Sequence, residues 1–232
     1  MIALHRVLRV LAFPAVFAVV IGGVWVAGGA ITNSFHASMA LTAAWMVLAG
    51  AACAAFALRR RAYRLPVAGG YVLAALAAGG YLGWSTLHDR VVDEQVAVGV
   101  PLQQAPAAEG ERAPERAPRA SRNVELAAGR FRSGEHATRG RAAIVRLAGG
   151  RRVLTLTRFE TSAGPDLRVR LAPGPNGGAG GALDLGALKG NRGDQQYDLP
   201  RGAEIGGRTV VIWCRAFSVA FGHAALRDGG AA

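Results

Sequence analysis

Three uncharged apolar stretches, Val10–Ile31, Ala37–Leu58 and Leu65–Leu87, dominate the first third of the chain, and no acidic residue precedes Asp89. Each is 22 or 23 residues long, and about 20 residues in a helix cross a hydrocarbon core of roughly 30 Å. All three qualify as transmembrane helices. The third is rich in Ala and Gly and carries Pro66 in its first turn, which Tyr71, Tyr81 and Trp84 offset as interface residues. For the first stretch the alternative is a cleaved signal peptide, with Arg6 and Arg9 as n-region and Ala27–Ala30 before the cleavage site. Its apolar run exceeds the usual h-region of about 7–15 residues, which favours a retained helix. No charged residue lies inside any span, so a proton or ion path through them is unsupported.

The formal charge of +12 invites a nucleic-acid reading until its distribution is seen. Residues 1–87 hold six charged residues, all Arg: Arg6, Arg9, Arg59, Arg60, Arg61 and Arg64. Four of them crowd the Arg59–Arg64 loop, two precede the first span, and Thr32–His36 has none. The positive-inside rule places the N-terminus and the Arg59–Arg64 loop in the cytoplasm, and residues 88–232 outside it. The protein is then a multi-pass protein of the plasma (inner) membrane, with the lipid bilayer as first partner. Arg in place of Lys, with abundant Ala and Gly, points on composition alone to a GC-rich bacterium.

Residues 88–126 read as a disordered tether. Ala-Pro recurs at 105–106, 113–114 and 117–118, and Glu and Arg alternate through Glu109–Arg122. Such a stretch has little to bury. Residues 127–228 read as an all-β domain, sandwich or barrel-like, with 229–232 as a tail. Its apolar runs are Ala142–Ala148, Arg152–Phe159, Leu167–Leu171, Tyr197–Leu199, Arg208–Phe217 and Val219–Phe221. Gly149–Gly150, Gly164–Pro165 and Asn176–Gly177 punctuate them as turns, and Pro173–Gly181 is a glycine-rich loop without a phosphate-loop setting.

Gly129, Phe131, His136 and Gly140 open this unit in the spacing G-x-F-x4-H-x3-G. Phe159, Gly164-Pro165-Asp166-Leu167, Leu185-Gly186, Leu188-Lys189-Gly190, Gly193, Tyr197 and Pro200 follow. Val211-Ile212-Trp213-Cys214, Phe217, Val219, Phe221-Gly222, Ala224 and Leu226 close it. In this order and spacing, residues 129–226 resemble the DM-thirteen domain, the electron-transfer DM domain of Skeletor-type proteins. The resemblance implies an extracytoplasmic redox or electron-transfer role, centred on a characteristic cysteine that maps to Cys214, and names no substrate.

The residues themselves bear on that cysteine. Cys53 lies within the second span, roughly 24 Å from its outer end, so it cannot pair with Cys214 of the outer domain. A lone cysteine in an oxidising compartment is buried, ligated, reactive or paired with another chain. Strand alternation groups Cys214 with Val210, Ile212 and Ala216 on a face that looks like core, with Arg215 opposite. A metal set of Cys214, His136 and His223 could hold copper, haem iron or zinc, although no C-x-x-C or H-x3-H spacing supports it. His136 also suits a hydrogen-bonded turn, and His223 an exposed position. Asp166, after Gly164-Pro165, fits turn chemistry. Lys189, the sole lysine, suits either an anion or solvent. His136, Asp166 and Lys189 complete the candidate cofactor-binding residues.

No G-x-S-x-G, H-E-x-x-H or Walker motif is present. Nucleic acid is excluded as a partner of a domain outside the cell, whose basic surface suits anionic lipid or a cell-wall polymer instead. Two functions stand. One is a redox or electron-transfer accessory centred on Cys214, working with a membrane or extracytoplasmic redox partner. The other is a non-catalytic binding or adhesion module in which Cys214 is core.

Overall fold

The computed structural model describes residues 2–32, 34–101, 122–174 and 181–228. Two compact units emerge, one of Met1–Leu87 with Cys214–Val219, the other of His88–Trp213 with Ala220–Ala232.

In the first unit, α1 (Ile2–Gly29), α2 (Phe35–Arg59) and α3 (Arg64–Leu87) follow the three apolar stretches, with a single 3-10 turn, Arg61–Tyr63, between the last two. All three are long and apolar enough to cross a membrane. In an apolar medium, hydrophobicity does not drive helices together, so close packing and interhelical hydrogen bonds must. Both are present. Trp45 Nε1 on α2 donates to the Val20 carbonyl of α1 at 3.0 Å, and Tyr71 OH on α3 donates to the Met46 carbonyl at 2.9 Å. Gly23 makes room for the first contact: a Cβ there would lie 2.0 Å from the indole ring. Pro66 is tolerated in the first turn of α3, where its missing N–H has no helical partner to lose. Within the same unit Ser218 Oγ donates to the Gly29 carbonyl at 2.6 Å, and the Phe35 and Phe217 rings meet edge-on at 5.6 Å.

The second unit is two β-sheets. Strands β1 (Val91–Asp93), β2 (Val100–Pro101), β3 (Val124–Arg130), β5 (Thr138–Arg146), β6 (Arg152–Thr161), β9 (Arg192–Asp198) and β12 (Arg227–Asp228) build sheet A. Its order is β1-β9-β6-β5-β3-β12, with β2 also on β3. Sheet B is β4 (Arg132–Ser133), β11 (Val219–Ala225), β10 (Arg208–Cys214), β7 (Leu167–Pro173) and β8 (Leu183–Ala187), in that order. The β5–β6 hairpin is the spine. Ile144 pairs with Leu154 and Ala142 with Leu156, all fully buried, each large side chain contributing about 1.5–3 kcal/mol. The sheets meet where Phe131 packs edge-on to Phe159 at 5.1 Å and where Thr138 Oγ1 lies 3.1 Å from the Phe221 carbonyl. On the other face of the hairpin, Ala143, Val145 and Val153 are covered by Ala97, Ala128 and Leu147.

Ala97 belongs to the stretch read as a tether, and there the expectation is corrected. Residues 88–101 and 122–126 are part of the domain. β1 pairs in parallel with β9, Val91 opposite Arg192, and β2 in parallel with the start of β3, Val100 opposite Val124. Val92 and Val100 supply apolar contacts that composition averaged over 39 residues hides, since the Ala-Pro repeats at 105–118 lie outside the described residues. Most of the glycine-rich loop (175–180) and the tail (229–232) also lie outside them. The apolar runs around 142, 152, 167, 208 and 219 fall on β5, β6, β7, β10 and β11. The Tyr197–Leu199 run proves to be the end of a longer polar strand, β9. β8, with its Leu183-x-Leu185 alternation, carried a signal that the reading passed over.

Candidate functional site

Cys214 ends β10, whose sequence Arg208–Cys214 is apolar on consecutive positions because β10 lies between β11 and β7. Val210, Ile212 and Cys214 are each 0% exposed, and Ala216 is buried. Arg215 is exposed. Trp213 points to the other side of the strand, with the Arg170 guanidinium 5.1 Å above its ring. Neither Cys214 nor Cys53 is in a disulfide. Alternation from the core valine and isoleucine puts the Cys214 thiol out of solvent, so a thiol reagent, a partner protein or a haem must open the core to reach it.

His136 lies in the bend between β4 and β5. Its ring stacks against Phe221 with centroids 3.9 Å apart, and its backbone N–H donates to the Phe221 carbonyl at 3.3 Å. Thr138 and Thr161 share a buried hydroxyl–hydroxyl hydrogen bond of 2.8 Å next to it. His223 is half-buried on β11, opposite Arg132 of β4. The structure thus brings His136 to β11 but does not assemble Cys214, His136 and His223 into one ligand set. Among the described residues, no group of three or more His, Cys, Asp or Glu side chains could hold a metal ion. A fully enclosed thiol and two separately placed imidazoles do not fit a copper, zinc or haem centre, which needs converging donors and an open position or cleft.

Asp166 has φ +54° in the turn before β7, a left-handed conformation that Asp tolerates well. Its place is a turn, as Gly164-Pro165 implies.

Lys189 departs from both readings given to it. It is neither a solvated loop cation nor open to an anion. Its ammonium donates to both carboxylate oxygens of Glu94, at 2.7 and 3.0 Å, and to the Gln196 carbonyl at 2.7 Å. It also sits 5.2 Å from the Tyr197 ring centroid. Beneath it, Gln195 is fully buried in a polar strand. Gln195 Nε2 donates to the Gly190 carbonyl at 2.8 Å. Its Oε1 accepts from the Tyr197 hydroxyl at 2.8 Å and from the backbone N–H groups of Lys189 and Gly190 at 3.2 and 3.3 Å. Asn191, also buried, donates to Asp89 at 2.7 Å and accepts from the Arg90 N–H at 2.6 Å. The hydrogen bonds from Lys189 hold the Glu94 carboxyl below the usual range. Burial pushes the Tyr197 phenol up to about 12.

Glu94, Asp89, Asn191, Gln195 and Tyr197 had not been singled out from sequence as a cluster. The available signal was polar density, Asn191 to Gln196, in a segment that also carries Gly190 and Gly193. What the cluster does is visible: it fastens residues 89–97 to β9. Gly193, with φ +99°, takes part because a Cβ there would lie 1.9 Å from the Val92 carbonyl.

The basic surface is partly neutralised within the domain. Arg139 pairs with Glu160, Arg141 with Glu125 at 2.6 Å, Arg168 with Asp184 at 2.6 Å, Arg192 with Asp89 at 3.1 Å and Arg208 with Glu204 at 2.7 Å. These pairs are spread over both sheets, so the excess charge is dispersed instead of forming a stripe.

A two-sheet β unit with a buried cysteine on a central strand, behind three apolar helices, defines a class of protein. Residues 130–226 match the family model described as Electron transfer DM13. The chain is a multi-pass membrane protein with a DM13 domain. Searches of curated proteins and of solved structures find no match.

Proposed function

We propose that this protein is an accessory of electron transfer outside the cytoplasm, with its DM13 domain anchored there by three spans and Cys214 as the residue on which the redox role centres. The observation that carries the reading is the match of residues 130–226 to an electron-transfer family model. The orientation rests on the arginines, with Arg6, Arg9 and the Arg59–Arg64 loop in the cytoplasm. A bacterial inner membrane is the setting that composition suggests. The partner is a membrane or extracytoplasmic redox protein, while the domain's basic surplus suits anionic lipid or a cell-wall polymer.

Burial limits the chemistry. Thiol–disulfide exchange requires a thiolate to attack in line with a partner sulfur, and an enclosed Cys214 does this only after local opening. No metal or haem is assigned to the described side chains.

The test uses the full chain in detergent with Cys53→Ala, so that Cys214 is the one remaining cysteine. Reversible oxidation of Cys214 in the folded protein, or a visible band or stoichiometric metal lost on Cys214→Ser, supports the redox role. A colourless, metal-free protein whose Cys214 stays inert to oxidants and thiol reagents until unfolding sinks it. That second outcome favours a binding or adhesion module with Cys214 as core, a reading supported by the 0% exposure of Cys214. Orientation is checked separately, by labelling an exposed Glu204→Cys with a membrane-impermeant reagent on intact cells. Labelling only after lysis overturns it.

A further inference from the structure

We propose that the DM13 domain serves partners at the membrane surface, because the segment that would let it reach further is folded into the domain itself. This goes beyond the redox reading and does not depend on it.

α3 ends at Leu87 and β1 begins at Val91. Four residues at no more than about 3.5 Å each place Val91 within about 14 Å of the end of the span. This limit is one of chain length and holds for any orientation of the β unit. Val91 is fixed in turn to Arg192 of β9 by the parallel register. Were residues 88–123 extended, the same chain would cover on the order of 120 Å.

The strap is held along its length. Asn191 grips Asp89 and Arg90 at its start, and Lys189 holds Glu94. The Glu94 N–H donates to the Asp194 carbonyl at 2.9 Å, the Ala97 N–H to Gln196 Oε1 at 2.9 Å, and the Val100 N–H to the Asn123 carbonyl at 3.0 Å. Val100 sits opposite Val124, and neighbouring strands lie about 4.8 Å apart. Whatever chain connects the two therefore adds nothing to the reach. Glycines at 190 and 193 leave space for the strap backbone: added Cβ atoms would meet the Arg90 and Val92 carbonyls at 2.6 and 1.9 Å. The sequence of β9 is thus shaped to receive this strand, although the strap precedes the residues matched by the family model.

The strap's own charge argues against lipid as what is gripped. Asp89, Asp93 and Glu94 outnumber Arg90 in Asp89–Pro101, which disfavours an anionic head-group layer. The partner is instead a protein embedded in, or lying on, the same membrane.

The test reads reach directly. The full chain, with Cys53→Ala and a donor fluorophore on Glu204→Cys, is placed in vesicles that carry an acceptor on the lipid head groups. A second form has a flexible Gly/Ser linker of about twenty residues between Leu87 and His88, which extends the reach while leaving the strap docked. A third has Val92→Asp with Glu94→Ala, which releases the strap, and its thermal transition confirms that the rest of the domain stays folded. Energy transfer in the native form should exceed that in the linker form, and the strap variant should fall to the linker level. Equal transfer in the native and linker forms overturns the proposal. So does a strap variant that remains folded, exchanges the amides of residues 91–94 freely and keeps native transfer. If the strap variant fails to fold, the native-to-linker comparison decides alone.

Discussion

Replacing Gln195 by Met tests whether the buried polar cluster is a structural clamp. Met keeps the length and most of the volume of Gln, so little packing is lost. What is lost is polar. The Gly190 carbonyl loses its donor at 2.8 Å, the Gly190 N–H its acceptor at 3.3 Å, and the Tyr197 hydroxyl its acceptor at 2.8 Å. The Lys189 N–H keeps a partner, since it also donates to the Tyr197 hydroxyl at 3.0 Å. Three buried groups left without partners cost about 1–3 kcal/mol each, roughly 5 kcal/mol together. Burial of the Met side chain returns about 2 kcal/mol. The net loss is about 3 kcal/mol, a large share of the stability of one domain. At about 4–8 °C per kcal/mol for a domain of this size, the transition of the β unit should fall by roughly 12–24 °C. Scanning calorimetry of the full chain in detergent reads it, with the β-unit transition assigned by amide I infrared absorption. A shift of under about 4 °C would mean that the cluster is hydrated or redundant, and would refute the clamp.

Two further outcomes follow from the same residues. Tyr197 should ionise near 12, well above the ordinary value of about 10; spectrophotometric titration of native protein against Tyr197→Phe checks it, and a difference spectrum with a midpoint near 10 would contradict the burial argument. Glu94 has a lowered folded pKa, so its pairing with Lys189 stabilises the fold above the unfolded carboxylate value of about 4.3 and is lost as pH falls through the lowered value. Native protein should therefore exceed Glu94→Gln in thermal midpoint at pH 7, by no more than about 1 kcal/mol of stability for so exposed a pair. The gap should close as the medium is acidified below pH 4, and a gap constant from pH 7 to pH 3 would show that the charge of Glu94 is irrelevant.

The sequence alone determined the three helices and the central β strands. A span is written locally, as a continuous apolar run of the right length, and no distant residue is needed to decide it. β5, β6 and β10 are legible for a related reason. Strands buried on both faces read as uninterrupted runs such as Val210-Val211-Ile212, and the same alternation was enough to turn Cys214 into the core. Tertiary structure decided what polar residues do. Nothing in Asp194-Gln195-Gln196 announces a strand, because its stability comes from a strap about a hundred residues earlier and from a loop that folds back on Gln195. Nor could composition show that Lys189 would find Glu94, or that Asp89 would find Asn191. Burying a polar side chain is favourable only when its partners arrive together. That condition is set by the fold and not by the neighbours in sequence, and it is why a segment read as a tether is an edge of the domain.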